Sequence, residues 1–200
     1  MNPAERIHAG WIEQRRIRVL ERHINALLPR EGTLLDVGCG DGQLTGKLAA
    51  HNPGLTISGL DVLQRPNAHF PVETFDGQVI PQPDDAFDTV LLVDVLHHCE
   101  TPEVLLSEAA RVARQQIVVK DHLLDGWLAG PTLRLMDRIG NARHGVDLPF
   151  RYWSEARWRE AWNEMGLQLE SFQVDLGLYP PPLGILFDRG LHFIARLGRG

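Results

Sequence analysis

The chain has 200 residues, and its 44% apolar and 23% charged residues are typical of one globular domain. Acidic residues outnumber basic ones by 26 to 20, which gives a net charge of −6 and disfavours nucleic acid as a partner. Two cysteines, Cys39 and Cys99, are too few for a disulfide framework, and no apolar run is long enough to span a bilayer. These features predict a cytoplasmic protein without integral membrane association.

We expect a single domain over residues 1–200, divided into three zones. Residues 1–30 predict a helix over Ala4–Leu28, because apolar residues recur at helical spacing until Pro29 ends the pattern. Residues 31–122 alternate short apolar runs with helical segments. Residues 123–200 are less regular.

The apolar runs of the middle zone predict a parallel sheet. The run Val90-Leu91-Leu92-Val93 is apolar without alternation, as a strand covered on both faces requires. Pro71 places one of the runs at an edge of the sheet. The predicted strands are Thr33–Val37, Thr56–Leu60, His69–Phe75, Phe87–Val93 and Gln116–Lys120, with helices over Gln43–Ala50 and Glu103–Ala113. This order predicts a doubly wound α/β fold.

The last zone predicts two helices and two strands. A helix over Trp127–Ile139 is either broken or started by Pro131, and Ser154 is a good N-cap for a helix that ends at Gly166. Three prolines predict that one further segment is neither a helix nor a central strand. The predicted strands are Leu167–Val174 and Leu191–Leu197, and the proline-containing segment is Leu176–Phe187.

A glycine-rich turn, Asp36-Val37-Gly38-Cys39-Gly40-Asp41-Gly42, joins the first strand to a helix. Glycines allow the backbone to turn sharply there and leave room for a ligand. The third glycine comes one residue earlier than in the dinucleotide fingerprint, which disfavours a pyrophosphate. Asp36 and Asp41 favour a cationic ligand instead.

Three more acids follow later strands. Asp61 ends the second strand, where a carboxylate can accept hydrogen bonds from both hydroxyls of a ribose, so an adenosine moiety is predicted. Asp76-Gly77 follows the third strand and Asp94 the fourth. The alternatives are that Asp61 caps the next turn and that Asp76-Gly77 is an ordinary turn dipeptide.

These motifs, together with Phe87-Asp88-Thr89-Val90-Leu91-Leu92-Val93-Asp94 and the following Val95-Leu96-His97-His98, resemble the class I S-adenosylmethionine-dependent methyltransferases. The similarity covers about residues 34–121 and is strongest to the type 11 subgroup, which includes the ubiquinone and menaquinone C-methyltransferases. It implies a Rossmann-like sheet of seven mostly parallel strands with helices on both faces and an N-terminal helix. The last strand, for which Leu191–Leu197 is the candidate, would be antiparallel and lie between the fifth and sixth.

The resemblance also implies S-adenosylmethionine as the cofactor of residues 31–122 and a substrate side in residues 123–200. Asp61 would hold the ribose, and Asp94 would line the floor of the pocket. The other implied cofactor-binding residues are Asp36, Gly38 and Gly40 around the methionine part, Val62 or Leu63 against adenine, Asp76 at the adenine amino group, and Cys39, Gly42 and Gly77 beside them.

Histidines beyond the fourth and fifth strands are the candidate catalytic residues: His97, His98 and His122, with His144 as a further one. Methyl transfer is an in-line displacement that depends on alignment, and a general base is needed only when the acceptor must lose a proton. The alternative is that these histidines shape the cofactor pocket. No metal site is expected, because adjacent residues point apart and lack ligand spacing.

We expect the acceptor to be a small molecule. Arginines in the polar cluster of Asn141, Arg143, His144, Arg151 and Tyr152 point to an anionic group on it, unless the cluster is a solvated loop. The apolar segment Leu176–Phe187 predicts a flap over an apolar acceptor, a homodimer contact or a loop packed on the sheet. Trp153, Trp158 and Trp162 are expected in the core.

Two other functions remain open at this point. A nicotinamide-dependent oxidoreductase would share the first two strands and Asp61. A catalytically silent protein with the methyltransferase fold would bind the ligand or a partner without turnover.

Overall fold

The computed structural model describes residues 3–141 and 149–200 and has a seven-stranded sheet at its centre. The strands are β1 (Gly32–Val37), β2 (Leu55–Asp61), β3 (Val72–Thr74), β4 (Phe87–Val93), β5 (Ala113–His122), β6 (Leu167–Val174) and β7 (His192–Arg199). The helices are α1 (Pro3–Asn25), α2 (Gln43–His51), α3 (Pro102–Val112), α4 (Ala129–Asn141), α5 (Glu155–Glu164) and α6 (Leu183–Phe187), and a short 3-10 helix covers Leu96–His98.

The strands lie in the order β3-β2-β1-β4-β5-β7-β6. The first five are parallel, whereas β7 runs antiparallel to β5 on one side and to β6 on the other. This topology confirms the predicted Rossmann-like sheet and the inserted last strand. In the register, Val37 pairs with Leu60 and with Leu92, so the carboxyl ends of β1, β2 and β4 meet at one edge.

Both faces of the sheet are covered, as the unbroken apolar runs predicted. Side chains alternate between faces along a strand, so Leu35 and Val37 belong to one buried cluster and Leu34 to another. Helices α3 and α5 cover the first face, while α1 and α2 cover the second through buried residues that include Leu20, Ile24 and Leu48.

Two predicted elements near the cofactor edge differ in length from the observed ones. The run His69–Phe75 yields only the three-residue edge strand β3, because Pro71, which lacks an N–H, directly precedes it. The first helix ends at Asn25 instead of Leu28.

The proline-containing segments of the last zone fold differently from expectation. Pro131 lies in the first turn of α4, where its missing N–H leaves no hydrogen bond unmade, so it does not break the helix. The prediction that Leu176–Phe187 contains no helix is wrong at its end, because α6 begins directly after Pro182. Leu176 and Leu178 are buried against the sheet. Within the described residues, no helix combines the length and the apolar character needed to cross a bilayer.

Candidate functional site

The glycine-rich turn adopts a backbone that side chains would obstruct. Gly38, Gly40 and Gly42 all have positive φ, of 74°, 64° and 72°. A Cβ on Gly38 would lie 2.4 Å from Val95 Cγ2, so the chain can pass this point only as glycine. The N–H groups of Gly38 and Cys39 donate to the carbonyl oxygen of Leu60, which ties the turn to the end of β2.

Asp61 closes β2 and is fixed through both carboxylate oxygens. Its Oδ2 accepts from the Gly40 N–H at 2.8 Å, and its Oδ1 accepts from the Leu63 N–H at 3.0 Å. Each oxygen keeps a further lone pair for a ligand. The residue is only 6% exposed, yet it lines a cavity, so this carboxylate is oriented before any ligand arrives.

The cavity, of about 520 Å³, lies at the carboxyl edge of β1, β2 and β4. Eight predicted cofactor-binding residues line it: Gly38, Gly40, Asp61, Val62, Leu63, Asp76, Gly77 and Asp94. Of the three candidate catalytic histidines, His98 lines it as well. Sequence reasoning missed several lining residues, among them Phe75, Val95, Cys99 and Leu105, because an apolar residue next to a strand end is usually core.

Three predicted cofactor-binding residues are not among the lining residues. Asp36 is buried and accepts a hydrogen bond from Thr45 Oγ1 at 2.6 Å, and burial raises the pKa of Asp36 to about 6. Burial likewise raises the pKa of the Cys39 thiol. A Cβ added to Gly59 would lie 3.0 Å from the Cys39 sulfur. A Cβ added to Gly42 would lie 2.6 Å from the Cβ of Phe70. These three residues therefore contact the surrounding protein and do not face the cavity.

Asp76 forms a turn, as expected if Asp76-Gly77 is a turn dipeptide. Its Oδ1 accepts from the N–H groups of Gln78 and Val79, both at 2.8 Å, and these bonds lower the pKa of Asp76. Because Asp76 also lines the cavity, the turn and the ligand contact are compatible.

Asp94 follows β4 with a left-handed backbone, at φ 55°. Its carboxylate pairs with Lys120 Nζ and, at 3.3 Å, with Arg16 Nη2 from α1. Burial alone would raise its pKa, but the neighbouring positive charges, with Lys120 the strongest, together outweigh burial and lower the pKa of Asp94. The N-terminal helix thus reaches the floor of the cavity.

Behind the cavity wall, His97 bridges two buried carboxylates. Its Nδ1 lies 2.6 Å from Asp121 Oδ1, and its Nε2 lies 3.5 Å from Asp137 Oδ2. Asp137 also accepts a short hydrogen bond from the Tyr152 hydroxyl. His122 is buried beside them, with its Nδ1 3.2 Å from Asp121 Oδ1.

The two adjacent histidines have opposite protonation behaviour. Burial opposes a charge on His97, but Asp121 and Asp137 outweigh it and raise the pKa of His97 to about 10. Burial and the neighbouring charge of His97 lower the pKa of His98 to about 4. His98 is therefore neutral at pH 7, and its Nδ1 is buried without a hydrogen-bond partner among the described residues.

Sequence reasoning missed Asp137. The signal was present, because Asp137 follows Leu133 by four residues and so shares the buried face of α4. An acid on the apolar face of a helix indicates a buried polar partner.

Metal-ligand side chains are closer together than the sequence suggested. Ligand atoms of His97, Asp121 and His122, and of His97, His98 and Asp137, lie within 4.8 Å of one another. Both sets include His97, which would have to lose a proton from the coordinating nitrogen to bind an ion. The expectation of a metal-free site stays a prediction.

The predicted acceptor cluster is only partly described. Arg143 and His144 lie outside the described residues, as does the side chain of Asn141. Arg151 pairs at 3.3 Å with the exposed Glu100, and Tyr152 is buried. Trp158 and Trp162 are in the core as expected, and each is 1% exposed. Trp153 is partly buried and packs against this core.

A family profile described as "Methyltransferase domain" matches residues 11–171. The chain belongs to this methyltransferase family. The match begins within α1 and includes the glycine turn, Asp61 and the three candidate catalytic histidines.

Relatives of this methyltransferase-family chain agree with that assignment. It is 29% identical over 142 positions to 27-O-demethylrifamycin SV methyltransferase of Amycolatopsis mediterranei, covering 60% of this chain and 52% of that protein. It is 36% identical over 93 positions to an uncharacterized methyltransferase of Mycobacterium tuberculosis, covering 42% and 47% of the two chains. The match thus spans about half the length of these curated relatives.

Solved structures support the fold. A chain of the Haloferax volcanii complex between the Trm112 methyltransferase activator and a methyltransferase superposes with a TM-score of 0.71. The two chains are 17% identical, and the match covers 95% of this chain and 94% of that one. The class I fold is confirmed, and family and fold together imply S-adenosylmethionine as the cofactor.

The cavity residues fit this cofactor. Among the described residues, no heavy atom lies within 4 Å of the position that a Cβ on Gly40 would take, so the turn leaves the cavity open there. The carboxylates of Asp61, Asp76 and Asp94 suit hydroxyl and amino donors and a positive charge. Val62 and Leu63 present apolar side chains that are 49% and 42% exposed, as a purine would require.

Proposed function

We propose that this protein is an S-adenosylmethionine-dependent methyltransferase that transfers a methyl group to a small-molecule acceptor by in-line displacement. The observation that carries the proposal is the Asp61 carboxylate, oriented at the cavity by the Gly40 and Leu63 N–H groups. An acid fixed there, one strand away from an open glycine turn, is suited to grip a ribose.

Each part of the cofactor has a matching group in the cavity. Asp61 would accept from the ribose hydroxyls, Asp76 from the adenine amino group, and Val62 with Leu63 would pack on the purine. The backbone at Gly38 and Gly40 would lie against the methionine part. When bound, S-adenosylmethionine supplies an electrophilic methyl group on a positively charged sulfur.

His98 is the candidate general base of the three histidines, because it alone lines the cavity. Its neutral imidazole can take the proton that a hydroxyl or carbon-acid acceptor releases. Burial keeps His98 neutral, and the charge of His97, held as a cation between Asp121 and Asp137, contributes to this. We therefore assign His97 and His122 positioning roles.

The acceptor and setting follow from charge and polarity. We propose an apolar acceptor with an anionic group, met in the cytoplasm, and no nucleic-acid substrate, since the chain has a net charge of −6. A homodimer stays a prediction from the apolar segment at residues 176–187.

The test begins with cofactor binding by isothermal titration calorimetry. Asp61→Asn removes the charge from the proposed ribose ligand, and we expect at least about a tenfold weaker affinity for S-adenosylmethionine, since hydrogen bonds to charged groups contribute about 1.5–3 kcal/mol. Glu73→Gln is the matched control, because Glu73 is an exposed acid on the neighbouring strand outside the cavity and its loss should change nothing.

Transfer of labelled methyl across a panel of acceptors completes the test. His98→Gln should keep the cofactor affinity and lose about a hundredfold in transfer rate on a hydroxyl or carbon-acid acceptor. Wild-type binding without turnover on any acceptor would favour a silent binding protein. Binding of NAD in preference to S-adenosylmethionine would refute the proposal.

A further inference from the structure

The outward face of α4 is apolar, although a helix on the surface of a protein normally presents polar residues to water. Its inner face buries Ala129 and Leu133 against the rest of the fold. On the opposite side, Leu135 is 49% and Ile139 67% exposed, and these two residues lie one turn apart. Just before the helix, Trp127 is 80% exposed.

Helix α6 extends this apolar surface. Arg189 joins the two helices, since its Nε donates to the Leu186 carbonyl oxygen at 3.0 Å and its Nη2 to Thr132 Oγ1 at 2.9 Å. Ile185 is 79% and Leu186 48% exposed. We call the outer patch the exposed apolar side chains of α4, of the segment directly before it and of α6: Leu124, Trp127, Leu128, Leu135, Ile139, Ile185 and Leu186. It holds seven of the twelve exposed large apolar side chains in the described residues, so more than half of them belong to α4, the segment before it and α6.

Positive charge flanks the outer patch on an otherwise acidic chain. Arg134 and Arg138 are exposed, lie one turn apart, and are adjacent in sequence to Leu135 and Ile139. Within the described part of the chain, neither forms an ion pair, and the guanidinium of Arg138 lies 5.7 Å from the ring centre of Phe150. A helix face of leucine and isoleucine bordered by arginine, with a tryptophan at its end, is the pattern of an interfacial helix.

We propose that the outer patch docks this protein on the surface of an anionic lipid bilayer. Apolar side chains would enter the interface while the two arginines pair with lipid phosphates and carboxylates. A second copy of the chain suits the patch less well, because a two-fold contact would bring Arg134 and Arg138 of both copies together. The net negative charge of the chain disfavours contact between its other surfaces and an anionic bilayer.

Docking would also bring the bilayer to within one helix of His97, whose neighbour His98 lines the cavity. Asp137, on the inner face of α4, lies 3.5 Å from His97, so the thickness of one helix separates the outer patch from the histidines. An acceptor dissolved in the lipid would then be close to the cavity. The route of the acceptor rests on the proposed function, whereas the docking of the protein on the bilayer does not.

The test is co-sedimentation of the purified full chain with vesicles. We use phosphatidylcholine vesicles that contain a minor fraction of phosphatidylserine, and pure phosphatidylcholine vesicles for comparison. The wild type should sediment with the anionic vesicles. The double variant Leu135→Glu/Ile139→Glu should bind at least about tenfold more weakly, since each apolar side chain contributes about 1.5–3 kcal/mol when fully buried.

Two further variants sharpen the result. Arg134→Gln/Arg138→Gln should weaken binding to anionic vesicles about thirtyfold and leave binding to neutral ones unchanged, at about 1 kcal/mol per arginine. Val104→Glu, an exposed apolar residue on α3 away from the patch, should bind as the wild type does.

The outcomes are separable from those of the proposed function. Every patch variant should bind S-adenosylmethionine with wild-type affinity, whatever happens with vesicles. Equal sedimentation of the wild type and Leu135→Glu/Ile139→Glu, or no wild-type binding to anionic vesicles, would overturn the docking proposal. A dimer in light scattering that the same double variant dissociates would also overturn it and identify a second copy as the occupant.

Discussion

His97 governs the charges around the cavity at the scale of single residues. It is 1% exposed, and it contacts Asp121 through one ring nitrogen and Asp137 through the other. A buried cation between two carboxylates stays charged, and its charge disfavours a second one on His98. The neutral state of the candidate base therefore depends first on its burial, and the positive charge of His97 adds to the effect.

This arrangement predicts a pH dependence of stability. The pKa of His97 is about 10 in the folded protein, against about 6.5 for an unfolded histidine. Since the folded state binds the proton more tightly, the stabilisation is complete below about pH 6.5 and is lost as the pH rises towards 10. Urea unfolding across this range should show the wild type losing stability relative to His97→Gln as the pH increases.

Tyr152→Phe serves as the control for that measurement. It removes the hydroxyl that binds Asp137 but keeps the imidazolium, so the loss of stability with pH should persist. Parallel pH profiles for the wild type and His97→Gln would show that His97 is not charged in the folded state.

At the scale of elements, α5 supports the site from behind. Ser154 caps the helix by accepting from the Arg157 N–H at 3.3 Å, and the Trp158 Nε1 donates to the His122 carbonyl oxygen at 3.1 Å. The position of His122 at the end of β5 thus depends on the seating of this helix.

The cap has a measurable contribution. Ser154→Ala should lower the free energy of unfolding by about 1 kcal/mol, because the N–H of Arg157 would lose its partner. Ser154→Asp restores an acceptor at the same place and should retain wild-type stability in urea unfolding. An alanine variant as stable as the wild type would mean that Asp125, which accepts from the Glu155 N–H, holds the helix start without Ser154.

At the scale of the whole molecule, the cofactor side (residues 31–122) and the substrate side (residues 123–200) share one sheet. β7, from the end of the chain, lies between β5 and β6, and Phe193 on β7 packs against Trp158 and Trp162 of α5. Neither half can bury its share of the sheet without the other.

The shared sheet predicts one cooperative unfolding transition, as expected for a single domain. Far-UV circular dichroism follows the helices and strands of the whole chain, whereas tryptophan fluorescence is dominated by the buried Trp158 and Trp162. The two signals should give the same midpoint in urea. A fluorescence midpoint well below the dichroism midpoint would show that residues 123–200 unfold separately.

Local sequence was sufficient for much of the architecture. The strands at Phe87–Val93 and Leu167–Val174, the cap at Ser154 and the edge position after Pro71 were all predicted, because each depends on a few neighbouring residues. The antiparallel strand between the fifth and sixth came from the family resemblance. The helix α6 was missed, because three prolines obscured the short apolar turn that follows them.

The sequence by itself determined the glycine turn, the acid at the end of the second strand and the residues that could face a nucleoside, since strand ends place such groups at one edge of a sheet. Only the tertiary structure decided which of them line the cavity: Asp36 turned inward to Thr45, and among the candidate histidines that the structure describes, only His98 lies at the wall. It also brought Asp137 and Tyr152 to His97. Such contacts join side chains far apart in sequence, and the packing of α4 against Tyr152 and Leu191, which no local pattern encodes, creates them.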